Sequence, residues 1–402
     1  MNTTNDYQAR EELIQAGKEL LNQLNTLYPE PLPTIIQNIN PPYKGKKILD
    51  VEKQWDILKS ALLKSKEERK VYGITEENVI EVLYRRLKKY LGVRPKLEEK
   101  RNSKEINIKE NLDPKYWTFY LPLFELIVKN VEEKKKHNSD QAFILGMSGG
   151  QGTGKSTKAE FLKVLLEDEG YKVVAFSSDD IYLPHEGLMA LKQSKPNIYF
   201  YTSPRGPHGT HEVSRFVEIL DNIRYKKGTK VTKFDKKAFG GIGDRKPEKD
   251  WLVVPKDTDI AIVDGSVVGT SPISEEELCK PTSDRILTKI EQKYDPQCII
   301  RKEFNKAAKD YVNISNRIDY LIYLDVGLDI IRKGRMEQER KLIEATGQGM
   351  DFDKLSGFID YYSLFYRIME NLKKSERTNL VVTIEDNQEV KEVIAKKPIL
   401  IF

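Results

Sequence analysis

Residues 149–156, Gly149-Gly150-Gln151-Gly152-Thr153-Gly154-Lys155-Ser156, fit the pattern G-x-x-x-x-G-K-[ST] without a mismatch. Glycines at these spacings let backbone N–H groups close around phosphate oxygens, because they permit positive φ and close approach. A helix starting at the lysine would add its partial positive N-terminus. Lys155 can then reach the β- and γ-phosphates, the Ser156 hydroxyl can ligate Mg²⁺, and Thr157 completes the cradle. The flanks suit this chemistry. Ala142 to Leu145 is a short apolar run that reads as a buried strand, and 156–167 carries Ala159, Leu162, Leu165 and Leu166 at helical spacing.

Two acidic sites complement the loop. The run Tyr171–Phe176 reads as a second strand and leads into Ser177-Ser178-Asp179-Asp180. In an open α/β sheet the carboxyl ends of the strands line the ligand crevice, so this pair should face the loop. Transfer of a phosphoryl group to a hydroxyl needs a group that orients and deprotonates the acceptor, and Asp179 suits that role. Asp180 is its neighbour or a magnesium-side partner. The other acid is Asp264, which ends the apolar strand Ile260-Ala261-Ile262-Val263 and fits a magnesium-holding carboxylate.

Between these strands lie Arg205-Gly206-Pro207-His208-Gly209-Thr210-His211-Glu212, Lys233-Phe234-Asp235-Lys236-Lys237 and Gly241-Ile242-Gly243-Asp244-Arg245. Glycines alternating with Arg, His, Asp and Lys suggest loops that present side chains to a small polar or anionic ligand. Arg205, His211, Asp235, Lys236 and Arg245 are the candidates, since an arginine fork suits a carboxylate or phosphate.

The elements that must position these groups alternate between strand and helix, with further strands expected at Asp259–Val263 and Leu321–Leu324. That order argues an α/β fold, a mostly parallel sheet covered by helices on both faces. Ahead of it, residues 7–27, 49–66 and 75–91 show helical spacing, with a proline-rich loop over 31–46 and a polar linker over 92–113. Residues 1–113 are therefore expected to form a small all-helical N-terminal extension with its linker, and 114–402 the main domain. That domain starts with an aromatic-rich helix over 115–136, in which Pro122 marks a helix start or a kink.

Composition narrows the setting. The chain has 402 residues, 67 basic and 62 acidic, for a net charge of +5, too balanced to argue for nucleic acid or a membrane surface. No apolar run approaches the ~20 residues needed to cross a bilayer. The acidic, weakly apolar start resembles neither a signal nor a transit peptide. Cys279 and Cys298 provide neither a disulfide framework nor a zinc spacing, so a reducing, cytoplasmic setting is expected. Oligomeric state is left open.

These motifs together resemble the plant and cyanobacterial D-glycerate 3-kinase family, and more broadly P-loop kinases such as phosphoribulokinase, uridine kinase and pantothenate kinase. The resemblance is carried by Ser148–Thr157, Ser178–Leu183, Arg205–Glu212, Phe234–Lys236, Gly241–Arg245 and Asp264-Gly265. It continues in Arg335–Glu339, Gly347–Met350 and Phe358–Tyr362, and so covers roughly 115–402. It implies a P-loop kinase fold, ATP and Mg²⁺, and a base at Asp179. A C-terminal lid helix would bring Arg335 over the phosphates, with Arg332 and Arg340 near the same face. The substrate it implies is D-glycerate, phosphorylated to 3-phosphoglycerate. Asp264 stands where such kinases more often have Glu, and Gly334 where they have Trp.

A nucleoside, pantothenate or a sugar phosphate is the alternative acceptor. A third reading is a nucleotide-hydrolysing switch or assembly protein, since Thr232-Lys233-Phe234-Asp235 mimics the base-reading motif of GTPases. No D-x-x-G follows the Asp264 strand, which disfavours it.

Overall fold

The computed structural model describes residues 3–27, 50–64, 66–103, 116–201, 203–346, 352–385 and 389–396. The loop expected over 31–46, the linker from 104 onward and Gly347–Met350 lie outside them. Internal contacts divide the chain into two units. One comprises Met1–Glu133, Glu160–Gly170 and Val393–Phe402, and the other Lys134–Ala159 and Tyr171–Glu392.

The second unit is built on a six-stranded sheet. Its strands, with the short ones between them, are β1 (Phe143–Gly149), β2 (Val173–Ser177), β3 (Thr229–Val231), β4 (Phe234–Asp235), β5 (Asp244–Arg245), β6 (Leu252–Val254), β7 (Ile260–Asp264), β8 (Tyr320–Asp325), β9 (Leu380–Ile384) and β10 (Val390–Ala395). The sheet order is β10-β9-β8-β1-β7-β2, and β2, β7, β1, β8 and β9 run parallel. Every residue of β1 and β7 is buried. Because successive side chains point to opposite faces, both faces of the sheet are covered, as parallel sheets require. Burying each Ile, Val or Leu of these strands contributes roughly 1.5–3 kcal/mol.

From β1 the chain turns first to one side, through β2 and β7, and later to the other, through β8 and β9. The switch falls beside β1, and ligand crevices open at such points, outside the carboxyl ends. Register sets the site: Asp264 lies opposite Met147 on β1 and Ser177 on β2. Two small antiparallel pairs, β3 with β6 and β4 with β5, project the Lys233–Arg245 segment.

The first unit is helical: Thr3–Leu27, Val51–Lys64, Lys66–Tyr72, Val79–Asn102 and the start of Leu121–His137. Leu21, Leu24, Trp55, Leu58, Leu83, Leu87 and Tyr90 are buried there, and the Trp55 ring lies against Gly17, where a Cβ would clash. Arg86 donates to Glu125 from Nε and Nη2 at 3.0 and 2.8 Å. The linker expected from residue 92 is corrected here, because the helix continues to Asn102 through Pro95. Buried Val93 and Leu97 supply the apolar positions that the charged composition hid. Pro122 is the second residue of Leu121–His137, directly after the π-helical turn Tyr116–Tyr120, so it marks the junction of the two helical forms.

The cysteine reading is also corrected. Cys279 and Cys298 form a disulfide, with Cα atoms 5.7 Å apart. Cys279 ends the helix Glu275–Cys279, and Cys298 precedes Ile299–Ser315. Nothing in a 19-residue separation announces this pairing, since folding alone brings the two helix ends together. The argument from cysteine usage to a reducing compartment falls with it. Denatured without reductant, the chain should show no free thiol, and after reduction both; thiols titrating without reductant would refute the pairing. No described helix is long and apolar enough to cross a membrane.

Candidate functional site

The glycine loop leaves β1 at Gly149 and enters the helix Lys155–Asp168. Gly152 and Gly154 both hold φ of +74°, a conformation that side chains rarely adopt, so the loop's path requires glycine at these points. Thr153 Oγ1 donates to the Gly150 carbonyl at 2.9 Å, and Lys158 Nζ to the Thr153 carbonyl at 3.0 Å. Lys155 lies over the loop with Nζ on the Gly150 carbonyl at 2.7 Å. Burial lowers its pKa, against the attraction of Asp264 and Asp179. Ser156 and Thr157 follow in the first helical turn.

Asp264, at the end of β7, accepts from Ser156 Oγ and from Ser177 Oγ, each at 3.2 Å. Burial dominates its environment and pushes its pKa up to about 6, with Lys155 opposing. A buried carboxylate beside a serine hydroxyl, next to a phosphate loop, is a hard all-oxygen donor set of the kind that suits Mg²⁺. Among the described residues no three His, Cys, Asp or Glu side chains cluster as a metal cage, so such an ion would take its remaining ligands from phosphate and water.

Asp179 stands in the 3-10 turn Ser178–Ile181 that follows β2. Its Oδ2 accepts from Lys236 Nζ at 2.6 Å and its Oδ1 from the Tyr182 hydroxyl at 3.0 Å. Burial acts to raise its pKa, but the charge and hydrogen bond of Lys236, with His211 and Tyr182, prevail and hold it at about 2. Asp180 has other partners. It accepts from Lys233 Nζ at 2.8 Å and closes a capping box on the Ser177 N–H. Both contacts fall on Oδ2, so capping chemistry uses one oxygen of this carboxylate beside Asp179.

The other candidates divide. Lys236 reaches Asp179. Arg205 donates through Nη1 to the carbonyls of Gly241, Ile242 and Lys236, so it organises the loop that carries Lys236. Arg245 donates from Nε and Nη2 to the Tyr182 carbonyl at 3.0 and 2.8 Å and pairs with Glu212. Asp235 accepts from the Lys237 N–H at 2.9 Å, a turn contact. Of the lid arginines, Arg335 pairs with Glu339 at 2.8 Å and faces Arg205 electrostatically. Arg332 pairs with Asp360, and Arg340 with Glu337 and Glu344 on an exposed face.

His211 stacks on Tyr182 at 4.4 Å between ring centroids, with Nδ1 2.8 Å from the Tyr311 hydroxyl. That hydroxyl also accepts the Gly209 N–H at 3.0 Å, so it ties the imidazole to the Gly209 backbone. Burial drops His211 to about 4, against the pull of Asp179, and burial with the neighbouring His211 drops His208 to about 3. Both are neutral when folded, whereas a solvated histidine titrates near 6.5. Their contribution is present above that pH and is lost as pH falls through it. Asp264, raised to about 6, acts with the opposite sign. Two histidines against one carboxylate leave a net loss of about 1.4 kcal/mol per pH unit between roughly 6 and 4. A magnesium-free denaturant titration at pH 7, 6 and 5 should show the midpoint falling, and a midpoint that rises on acidification would contradict this.

Tyr182 and Tyr362 lie in the stretches Ser178–Leu183 and Phe358–Tyr362 that carry the resemblance, but the sequence assigned neither of them a contact at the site. Tyr182 lies three residues after Asp179, a spacing that one turn brings together. Tyr362 reaches Ser266 at 2.8 Å from 96 residues away, which only the fold could reveal.

Comparisons with known proteins bear on the fold and the family. No family model matches the sequence. The uncharacterized kinase mug58 of Schizosaccharomyces pombe is 32% identical over 246 residues, 60% of this chain and 85% of that protein. The chloroplastic D-glycerate 3-kinase of Arabidopsis thaliana is 24% identical over 62% of this chain and 53% of its own length. The structure of D-glycerate 3-kinase from Cryptococcus neoformans superposes with a TM-score of 0.59 at 21% identity, covering 68% of this chain and 99% of the other, a likeness of fold. With that identity over that share of the fission-yeast kinase, and with its phosphate loop intact, the chain belongs to the family of P-loop kinases that includes the D-glycerate 3-kinases.

Proposed function

We propose that this kinase transfers the γ-phosphoryl group of ATP to a hydroxyl of D-glycerate, giving 3-phosphoglycerate and ADP. The observation that carries the reading is the position of Asp179. Its carboxylate is fixed by Tyr182 and Lys236 just after β2, while Asp264 ends the neighbouring β7 and meets Ser156, which with Lys155 follows the loop from β1, the next strand along. Base, phosphate cradle and cation donors thus share one crevice.

In this reading the loop amides and Lys155 bind the phosphates. Ser156 and Asp264 would hold Mg²⁺, which supplies charge neutralisation between the phosphate oxygens. Asp179 orients the acceptor hydroxyl and takes its proton, Tyr182 fixes the carboxylate, and Arg335 would approach the phosphates from the helix Leu328–Thr346. The remaining neighbours that the sequence put forward, Arg205 and Arg245, act through the loops they fasten.

The test is ADP release from ATP·Mg²⁺ with D-glycerate, L-glycerate, uridine, pantothenate or ribulose 5-phosphate, against no acceptor. Stimulation by D-glycerate alone is the expected result. Stimulation by pantothenate instead would move the acceptor toward another branch, to which a 23% identical Bacillus subtilis pantothenate kinase belongs by name. Steady hydrolysis indifferent to every acceptor would favour a nucleotide-hydrolysing switch.

A further inference from the structure

The same carboxylate that should accept a proton already holds an ammonium group. Lys236 Nζ lies 2.6 Å from Asp179 Oδ2, and Tyr182 occupies Oδ1. An acceptor hydroxyl must share or replace one of these contacts before its proton can move. Tyr182 is fixed: it is buried, stacked on His211, and its carbonyl is held by Arg245. Lys236 differs. Its backbone carbonyl is fastened by Arg205, but its side chain is 54% exposed in the turn that follows β4. A lysine is a flexible point charge that can swing without moving its backbone.

The two other lysines of the neighbourhood have different engagements. Lys155 belongs to the phosphate loop, and Lys233 pairs with Asp180. Lys236 is thus the ammonium that both touches the base and opens to solvent.

We infer that Lys236 is a charge-selective gate on the base, handed from Asp179 to an anionic group carried by the acceptor itself. The acceptor is then a small hydroxy acid, whose carboxylate draws Lys236 away and leaves Oδ2 facing the hydroxyl. In the step that follows, the hydroxyl O–H bond breaks and its proton passes to Asp179. The hydroxyl oxygen forms a bond to the γ-phosphorus as the bond from that phosphorus to the β–γ bridging oxygen breaks, and ADP leaves with the bonding pair. Neutral polyols and water cannot take the ammonium, so they meet an occupied base. The inference rests on the kinase reading and adds to it the chemical requirement on the acceptor.

Its test compares D-glycerate with glycerol, which keeps the hydroxyls and lacks the carboxylate, in the unaltered protein and in Lys236→Gln and Lys236→Arg. The measurements are KM and kcat for transfer, KM for ATP, and ADP release without acceptor. The unaltered protein should favour D-glycerate. In Lys236→Gln, KM for D-glycerate should rise about 10–100-fold, the worth of a charge-assisted hydrogen bond, while KM for glycerol stays within about threefold. ADP release without acceptor should become a larger share of turnover, and Lys236→Arg should recover part of the D-glycerate KM, which a merely misfolded Gln variant could not explain. A higher KM for ATP with both acceptors affected alike would make Lys236 a phosphate ligand and overturn the inference. Equal KM values for D-glycerate and glycerol in the unaltered protein would overturn the inference while leaving the kinase. Transfer to neither compound would overturn the D-glycerate assignment and the inference with it.

Discussion

Asp179→Asn is expected to slow acceptor-dependent phosphoryl transfer by about 10²–10⁴-fold, the usual contribution of a positioned base. The amide keeps the shape of the carboxylate and can still accept from Tyr182, so the turn after β2 should survive. What disappears is the proton acceptor, together with the negative charge that faces Lys236, His211 and Lys155. ATP binding rests on the loop and should change little. The measurement is single-turnover transfer to D-glycerate beside an ATP-binding titration. A rate within about threefold of the original, well short of a base's worth, would remove Asp179 from the base role. Loss of ATP binding together with rate would instead mean that the substitution disturbs the loop.

A second large effect is expected away from the crevice. Glu291 accepts from Arg367 Nε and Nη2 at 2.5 and 2.7 Å, and lies 2.8 Å from Arg301 Nη1. Arg301 also donates to Asp295 at 2.9 Å, and Asp295 takes the N–H groups of Ile300 and Arg301. The Glu291, Arg301 and Arg367 side chains are no more than 9% exposed. Glu291→Ala would leave two buried guanidinium groups, Arg301 with Asp295 as its carboxylate and Arg367 with the Glu277 carbonyl. Breaking a buried ion pair by removing one partner costs about 3–5 kcal/mol. At roughly 2–4 °C per kcal/mol for a unit of this size, the thermal midpoint should fall by about 10 °C. Glu291→Gln, which keeps one acceptor oxygen, should fall between. A loss below about 1 kcal/mol for the alanine variant would show that water reaches the network, as at an exposed pair. The disulfide should be kept oxidised in both measurements, because Arg301 Nη1 also donates to the carbonyl of Leu278, next to Cys279.

The two predictions draw on different kinds of legibility. Asp179 could be found from sequence because it follows an apolar strand directly, so the chain itself carries it to the carboxyl edge of the sheet. Glu291 could not. It sits in a charged helix, 76 residues from Arg367, and a helix of that composition ordinarily faces solvent. Its burial depends on which helices pack together. Arg205 and Arg245 show a related limit. A guanidinium serves a ligand carboxylate or a row of backbone carbonyls equally well, and here both arginines hold carbonyls.

The sequence by itself determined the phosphate loop, the parallel α/β plan and the acids at the ends of β2 and β7. Their chemistry lies in residues that are covalent neighbours, where glycine spacing, apolar period and strand-end position act locally. The tertiary structure alone decided that Asp264 meets Ser156 across 108 residues, that Lys236 meets Asp179 across 57, and that Cys279 bonds Cys298. Such pairs depend on strand register and helix packing. A slip of one residue in the pairing of Ser177 with Asp264 would turn the side chains to the opposite face and separate base from cradle, and local sequence carries no record of that choice.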